Sequence, residues 1–130
     1  MNPGELAWRL AESRLREAKA LIAAGEWSGA FYLGGYAIEL ALKARMAVSV
    51  IEEVLPDPNL LNRARTHDLL KLADYDWARL GALNANERQK LTTLAGIWSE
   101  RARYLEHTES LTRTFVADVE TVYAAIKGLT

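Results

Sequence analysis

The sequence predicts an all-α domain, a compact up-down bundle of about five helices. Apolar residues recur at three- and four-residue intervals along most of the chain, as they do on the buried face of a helix. No stretch of useful length alternates apolar and polar residues as a strand would. Prolines, glycines and capping residues divide the helical pattern at several points. The length of 130 residues suits one domain, residues 1–130, with a core of its own.

The first two helices are predicted to form a hairpin. Asn2-Pro3 has the composition of a helix start, and a connection of two or three residues at Gly25 would turn the chain sharply back. The second helix, from Trp27 to about Val54, is apolar on nearly every side and is expected at the centre of the bundle. Gly34-Gly35 inside it should let a neighbouring backbone come close. The first helix should face it with Leu6, Ala7, Leu10, Ala11, Leu15, Ala18 and Ile22.

A short third helix is predicted after the prolines of the loop. Pro56 and Pro58 stop the second helix, because proline lacks the backbone donor and clashes with the preceding turn. Thr66 is a suitable cap and Asp68 a favourable acid in the first turn. This helix is expected to run from about His67 to Tyr75.

The last two helices are predicted from a capping box and a terminal glycine. Asn84 and Glu87 have the capping-box spacing, and the fourth helix is expected to continue to about His107-Thr108. The fifth should follow almost at once and end at Gly128. The inward faces are predicted to carry Leu91, Leu94, Ala95, Trp98, Ala102 and Leu105 on the fourth helix and Leu111, Phe115, Val119, Val122 and Ile126 on the fifth.

Charge and cysteine content exclude several classes of protein. Sixteen basic and seventeen acidic residues leave a net charge of −1, so nucleic-acid binding would need a local basic cluster. With no cysteine there are no disulfides, no thiolate catalysis and no cysteine-ligated zinc. The sequence has no signal-peptide pattern and no apolar run long enough to span a bilayer. We therefore expect a cytoplasmic protein with no membrane contact.

A polar stripe interrupts the apolar second helix. Tyr32, Tyr36, Glu39 and Lys43 fall on one line at about 100° per residue. An isolated Glu–Lys pair at this spacing is worth only about 0.2–0.5 kcal/mol, which does not explain two charges at a costly interior position. Either a cation from another helix completes a buried network, for which Arg103 is the expected partner, or the stripe is a functional surface.

Two histidines are the main candidates for acid–base chemistry, and no metal or cofactor is expected, because no Glu-x-x-His pair is present. His67, at a helix start, is expected to bond to nearby backbone. Arg101 and His107 could bind a phosphate and move a proton. In a continuous helix they would stand about 120° apart, so a shared site requires the helix to end between them or a second subunit to supply one. The alternative is that they form interhelix salt bridges at a frayed helix end.

Three strings taken together resemble the HEPN domain family (higher eukaryotes and prokaryotes nucleotide-binding) over nearly the whole chain. They are Tyr36-Ala-Ile-Glu39-Leu-Ala-Leu-Lys43-Ala44, Thr66-His67-Asp68-Leu69 and Trp98-Ser-Glu-Arg101-Ala-Arg103-Tyr104. The resemblance implies an α-helical bundle that forms a homodimer. A dimer is also expected because the second helix carries more apolar surface than one neighbour on each side can cover.

The resemblance also implies activities and residues. Many HEPN proteins are metal-independent endoribonucleases with an Arg-x(4–6)-His motif, often toxins or phage-defence effectors, and others pair with a minimal nucleotidyltransferase. The motif maps to Arg101 and His107 as catalytic residues. Nucleotide or RNA binding, or a polar network, is then expected at Tyr36, Glu39, Lys43, His67, Arg103 and Tyr104.

Two hypotheses follow. The first is an RNA- or nucleotide-binding homodimer acting as, or with, a toxin–antitoxin component. The second is a non-catalytic module that docks a nucleotidyltransferase or another partner. Active relatives commonly carry Asn, Asp or His after the arginine, where this chain has Ala102, and one toxin subgroup has a tyrosine where this chain has Glu109.

Overall fold

The computed structural model describes residues 3–52, 67–69, 71–72 and 81–129. Within these ranges every regular element is helical and none is a strand, which confirms the predicted all-α class. The elements are α1 (Pro3–Ala23), α2 (Trp27–Glu52), α3 (Ala85–Ile97), a 3-10 helix (Glu100–Tyr104) and α4 (Glu109–Gly128).

The predicted third helix is described at only a few of its positions. Leu69, Lys71 and Leu72 are helical, and the backbone N–H of Leu72 donates to the carbonyl of Asp68 at 3.1 Å. The Asp68 carboxylate accepts from the Lys71 N–H at 3.3 Å, as the side chain of an N-cap residue does. The predicted cap Thr66, the loop with its two prolines and the predicted end at Tyr75 lie outside the described residues.

The α1–α2 hairpin forms as predicted, around Gly25. This residue has φ +75°, a left-handed conformation that glycine adopts without steric cost. Its N–H donates to the Ile22 carbonyl at 3.1 Å, and the Glu26 N–H donates to the Leu21 carbonyl at 2.8 Å. These two bonds form a Schellman motif, which closes α1 and turns the chain onto α2.

The central helix is α2, as its all-round apolar pattern predicts. It packs against α1, α4 and the 3-10 helix. The fully buried apolar side chains that it supplies to the core are Ala30, Phe31, Ala37, Ile38, Ala41, Leu42 and Ala44. The rest of the described core comes mainly from α3 and α4, so the site residues of α2 are held from several sides.

The face that α1 presents to the core differs from the predicted one. Leu6 and Leu10 are 49% and 37% exposed, whereas Ala11 and Ala18 are fully buried. Trp8 is half-buried and meets Tyr123 of α4 edge to face, with ring centroids 6.0 Å apart. Because this large aromatic contact fixes the rotation of the N-terminal half of α1, the two leucines turn towards solvent.

The fourth predicted helix begins as expected but ends about ten residues early. Asn84 and Glu87 form the capping box, with side-chain to backbone bonds of 2.8 and 2.9 Å. The helix α3 then stops at Ile97, and Trp98 is extended. The Ser99 hydroxyl accepts from the Arg101 N–H and caps the 3-10 helix instead. Leu105, predicted to face the core, is 57% exposed after this break.

The last helix, α4, lies close to its predicted position. Thr108 caps it by accepting from the Leu111 N–H at 3.3 Å. Phe115, Val119, Val122 and Ile126 are buried as predicted, but Leu111 is 43% exposed and the buried residue of the first turn is Thr112. Gly128 is the last helical residue, and the helix end follows it by one position.

No α-helix within the described ranges has the length and apolar character needed to cross a lipid bilayer.

Candidate functional site

The polar stripe of α2 contains a buried carboxylate. Glu39 is 1% exposed, and its Oε2 lies 3.2 Å from the Nζ of Lys43, one turn further along the helix. The Lys43 side chain is 22% exposed. A buried carboxylate is costly unless its oxygens are paired, and Lys43 accounts for only one of them.

The second oxygen of Glu39 is paired with a histidine from a different part of the chain. Glu39 Oε1 lies 3.0 Å from Nδ1 of His67, twenty-eight positions away. The predicted partner was a cation from another helix, with Arg103 as the expected residue. The partner in the structure is the imidazole of His67, so the choice of Arg103 was wrong. The described partners of His67 are side chains. Its predicted bond to nearby backbone stays a prediction, because most of the neighbouring backbone lies outside the described residues.

The other nitrogen of the same ring faces a second carboxylate. His67 Nε2 lies 3.3 Å from Glu100 Oε2, and the two side chains are 47% and 49% exposed. Only a ring that carries a proton on both nitrogens can donate to Glu39 and Glu100 together. The imidazole therefore connects the buried carboxylate of α2 to an exposed carboxylate at the start of the 3-10 helix.

A cleft of about 700 Å³ opens beside this connection. The described residues that line it are His67, Asp68, Ala95, Gly96, Trp98, Ser99, Glu100 and Arg101. The premature end of α3 creates the cleft, because it places the polar sequence Ser99-Glu100-Arg101 on a separate short helix. The lining thus combines one imidazole, one guanidinium and two carboxylates, which suits a ligand that both accepts and donates hydrogen bonds.

Aromatic rings form the wall between the cleft and the centre of α2. The Trp98 Nε1–H donates to the Tyr32 carbonyl at 3.1 Å, and the indole lies against Gly35, where a β-carbon would overlap it. The predicted close approach at Gly34-Gly35 therefore involves an indole ring and not a neighbouring backbone. Tyr32 stacks with Tyr36, with centroids 6.1 Å apart. Burial raises the pKa of the Tyr36 phenol, and the nearby negative charge of Glu39 raises it further.

The two residues of the predicted catalytic pair lie in different surroundings. The helix α3 ends before both residues, and the 3-10 helix that carries Arg101 ends at Tyr104, so no continuous helix joins Arg101 to His107. Arg101 lines the cleft. His107 is not among the described lining residues. Its ring stacks on Phe31, with centroids 3.8 Å apart, and its backbone N–H donates to the Ser28 hydroxyl at 2.9 Å. Its Nε2 is buried and has no hydrogen-bond partner among the described residues.

Arg103 and Tyr104 form an exposed pair on the 3-10 helix. The guanidinium lies 4.7 Å from the centre of the Tyr104 ring, and Tyr104 is 74% exposed. Hydrogen bonding to Tyr104 raises the pKa of Arg103, with a smaller contribution from Tyr32. In a 3-10 helix, residues three apart eclipse one another, so Tyr104 shares an edge with Arg101. An exposed aromatic ring on that edge is suited to stack on a nucleobase.

Glu100 was not predicted as a site residue, and Trp98 was predicted only as a core residue. Both follow from the break after Ile97, and Ser99 was the available signal, because a serine followed by acidic and basic residues can cap a new helix. In the part of the chain that the structure describes, no three His, Asp or Glu side chains are grouped to hold a metal ion.

When the sequence was compared with models of known families and with curated proteins, no match was found. The resemblance to HEPN domains therefore rests on the three strings quoted above.

Proposed function

We propose that this chain is a HEPN-type protein that binds RNA or nucleotide in the cleft beside the 3-10 helix, as a component of a toxin–antitoxin or defence system. The observation that carries the proposal is the lining of the cleft. Arg101 offers a charge-assisted contact for phosphate, and His67 stands in the same cleft with its orientation set by the buried Glu39. The exposed Tyr104 extends this surface with a ring on which a base could stack.

The chemistry of the exposed residues beside the cleft favours RNA or nucleotide over a basic or neutral ligand. The net charge of −1 gives no general attraction for phosphate, so binding depends on the local cations. Arg101 and Arg103 are both exposed on one short helix, next to Tyr104. Alternation of basic and aromatic side chains is typical of surfaces that hold single-stranded nucleic acid.

Binding should therefore depend on Arg101. We expect Arg101→Ala to weaken binding of a fluorescent single-stranded RNA by roughly 10- to 100-fold, because it removes a charge-assisted contact worth about 1.5–3 kcal/mol. Fluorescence anisotropy at fixed salt measures this. Arg16→Ala is the matched control, since Arg16 is an exposed arginine of α1, with its side chain 67% exposed.

Equal affinities for the wild-type protein and Arg101→Ala would remove the cleft as the binding site. Loss of affinity in both arginine variants would mean that RNA responds only to the total charge of the protein.

The proposed assembly is a homodimer that encloses the cleft. The side chains of α2 from Ala30 to Met46 are buried or half-buried in one chain, so this stretch leaves little apolar surface for a dimer contact. The large exposed apolar residues next to the cleft are better candidates. Ile97 is 48% exposed and lies between the lining residues Gly96 and Trp98 in sequence, and Tyr104 and Leu105, 74% and 57% exposed, come three and four positions after Arg101. Clusters of exposed apolar side chains often mark interfaces.

Light scattering should give a mass about twice 14.5 kDa. We expect Leu105→Glu to shift the protein to monomer, because a charge would then be buried without a partner at the interface. Leu6→Glu makes the same change at an exposed leucine of α1. A wild-type protein that stays monomeric at all concentrations would contradict the dimer, and dissociation by Leu6→Glu alone would place the interface on α1.

The second candidate is a non-catalytic module that docks a nucleotidyltransferase or another partner. Because His107 Nε2 is buried, it is not placed to act with Arg101 as a catalytic pair within one subunit, and this favours a non-catalytic role. Co-purification with a nucleotidyltransferase encoded beside this chain, together with no RNA binding, would support it.

A further inference from the structure

Of the two histidines in the sequence, His67 is the one that lines the cleft. His67 is 47% exposed, and Arg101 and Glu100 line the same space. His107 stacks on Phe31, and its Nε2 is buried without a described partner. A group that exchanges protons with a substrate must come within hydrogen-bond reach of it. His67 meets this requirement in the subunit as it stands.

The orientation of His67 is fixed from the buried side. Glu39 contacts Nδ1 at 3.0 Å, and Glu39 is itself held by Lys43 at 3.2 Å and is 1% exposed. A carboxylate that binds one ring nitrogen determines the tautomer and the ring position, which assigns the other nitrogen to the substrate side. That other nitrogen, Nε2, is the one that contacts Glu100 in the cleft.

We propose that His67, held between Glu39 and Glu100, is the general acid and Glu100 the general base of an RNA-cleaving reaction in this cleft. This inference rests on the proposed function, since it requires RNA to bind there. It assigns the acid–base role to His67 and Glu100 in place of His107. The substrate class is single-stranded RNA with a free 2′-hydroxyl at the scissile position.

The reaction balances with these two groups. The 2′-oxygen attacks the phosphorus and forms a P–O2′ bond while its proton passes to the Glu100 carboxylate. The P–O5′ bond breaks, and the 5′-oxygen takes the proton of His67 Nε2. The products are a 2′,3′-cyclic phosphate and a 5′-hydroxyl. Glu100 is then protonated and His67 neutral, and the 3.3 Å contact between them gives a path for the proton to return.

Arg101 completes the site without exchanging protons. Its guanidinium lines the cleft next to Glu100 in sequence and supplies five N–H donors with no acceptor. During attack the phosphate gains negative charge on its non-bridging oxygens, and a fixed cation there stabilises that charge. Glu39 acts through His67 and is a positioning residue.

The test uses a single-stranded RNA oligonucleotide and the purified full chain, with and without EDTA, and measures binding and cleavage separately. We expect wild-type protein to release fragments that end in a 2′,3′-cyclic phosphate, identified by mass spectrometry. His67→Ala and Glu100→Gln should each lower kcat by roughly 10²–10⁴-fold, the usual contribution of a positioned acid or base. RNA affinity should change much less than kcat.

The controls address the fold and the choice of residue. Glu106→Gln makes the same change at an exposed glutamate that is not among the described lining residues, and it should leave kcat unchanged. A 2′-deoxy substitution at the cleaved position should stop cleavage and leave binding. Circular dichroism checks the fold of each variant, and His67→Gln replaces His67→Ala if the latter fails to fold.

The outcomes separate this inference from the proposed function. Wild-type protein that binds RNA but leaves it uncut would overturn the inference and leave the binding function standing. Cleavage that persists in His67→Ala or His67→Gln, or that is lost in His107→Phe, which keeps an aromatic ring to stack on Phe31, would also overturn it. Absence of RNA binding would overturn both.

Discussion

Replacement of Gly35 by alanine should lower the free energy of unfolding by about 2–3 kcal/mol, because the new β-carbon would overlap the Trp98 indole. Trp98 is 4% exposed, so the ring has little free space into which to move. Displacing it also breaks its 3.1 Å hydrogen bond to the Tyr32 carbonyl. Alanine gains about 1 kcal/mol over glycine in helix propensity, which offsets only part of this loss. Urea denaturation measures the change.

The neighbouring glycine supplies a matched control. A β-carbon on Gly34 would meet Val116, Phe115 and Val119 at 3.5, 3.6 and 3.7 Å, which are ordinary contact distances. Gly34→Ala should therefore be neutral or stabilising by up to about 1 kcal/mol. The contrast between two adjacent positions of one helix tests the packing of Trp98 directly.

A double-mutant cycle with Trp98→Leu makes the test independent of helix propensity. In that background Gly35→Ala should lose most of its cost, since a smaller side chain leaves room for the methyl group. A Gly35→Ala protein as stable as wild type would show that the indole does not occupy this position.

Removal of the Glu39 carboxylate should cost about 3 kcal/mol, at the lower end of the range for breaking a buried ion pair. Glu39→Ala deprives both Lys43 and His67 of their partner and empties a site that is 1% exposed. The cost stays at the lower end because the side chains of Lys43 and His67 are both partly exposed and regain contact with water. A fall in the urea midpoint with an unchanged m-value would report it.

Glu109→Ala is the control for an exposed pair. Glu109 contacts Arg113 at 2.9 Å, and both side chains are more than half exposed, at 56% and 54%. Its loss should cost less than about 1 kcal/mol, the usual value for a surface pair. Similar small losses of stability in both variants would mean that water already hydrogen-bonds to the Glu39 carboxylate. Glu39 would then not be what holds the His67 ring in place. Glu39→Gln, which keeps the side-chain shape, separates the loss of charge from the loss of volume.

The features that the sequence alone determined are those with partners close along the chain. The start of α2, the capping box of Asn84 and Glu87, and the turn at Gly25 all depend on contacts between residues a few positions apart. Periodicity and capping chemistry report such contacts directly. The contact between Glu39 and Lys43, one helical turn apart, was predictable for the same reason.

The candidate site was decided by tertiary structure. Packing of the Trp98 ring against Gly35 accompanies the end of α3 at Ile97, ten residues before the periodicity of the sequence predicts it. That early end places Arg101 in a cleft with His67, and His107 against Phe31.

The pairing of Glu39 with His67 was also decided by tertiary structure. Several cations were available to the buried carboxylate, and the sequence contains no signal that selects one twenty-eight positions away. The distances between side chains on different segments are fixed only when those segments pack together. For this reason the sequence identified the residues that carry charge and could act as acids or bases, while only the packing of Trp98, Glu39 and His107 decided which of them meet.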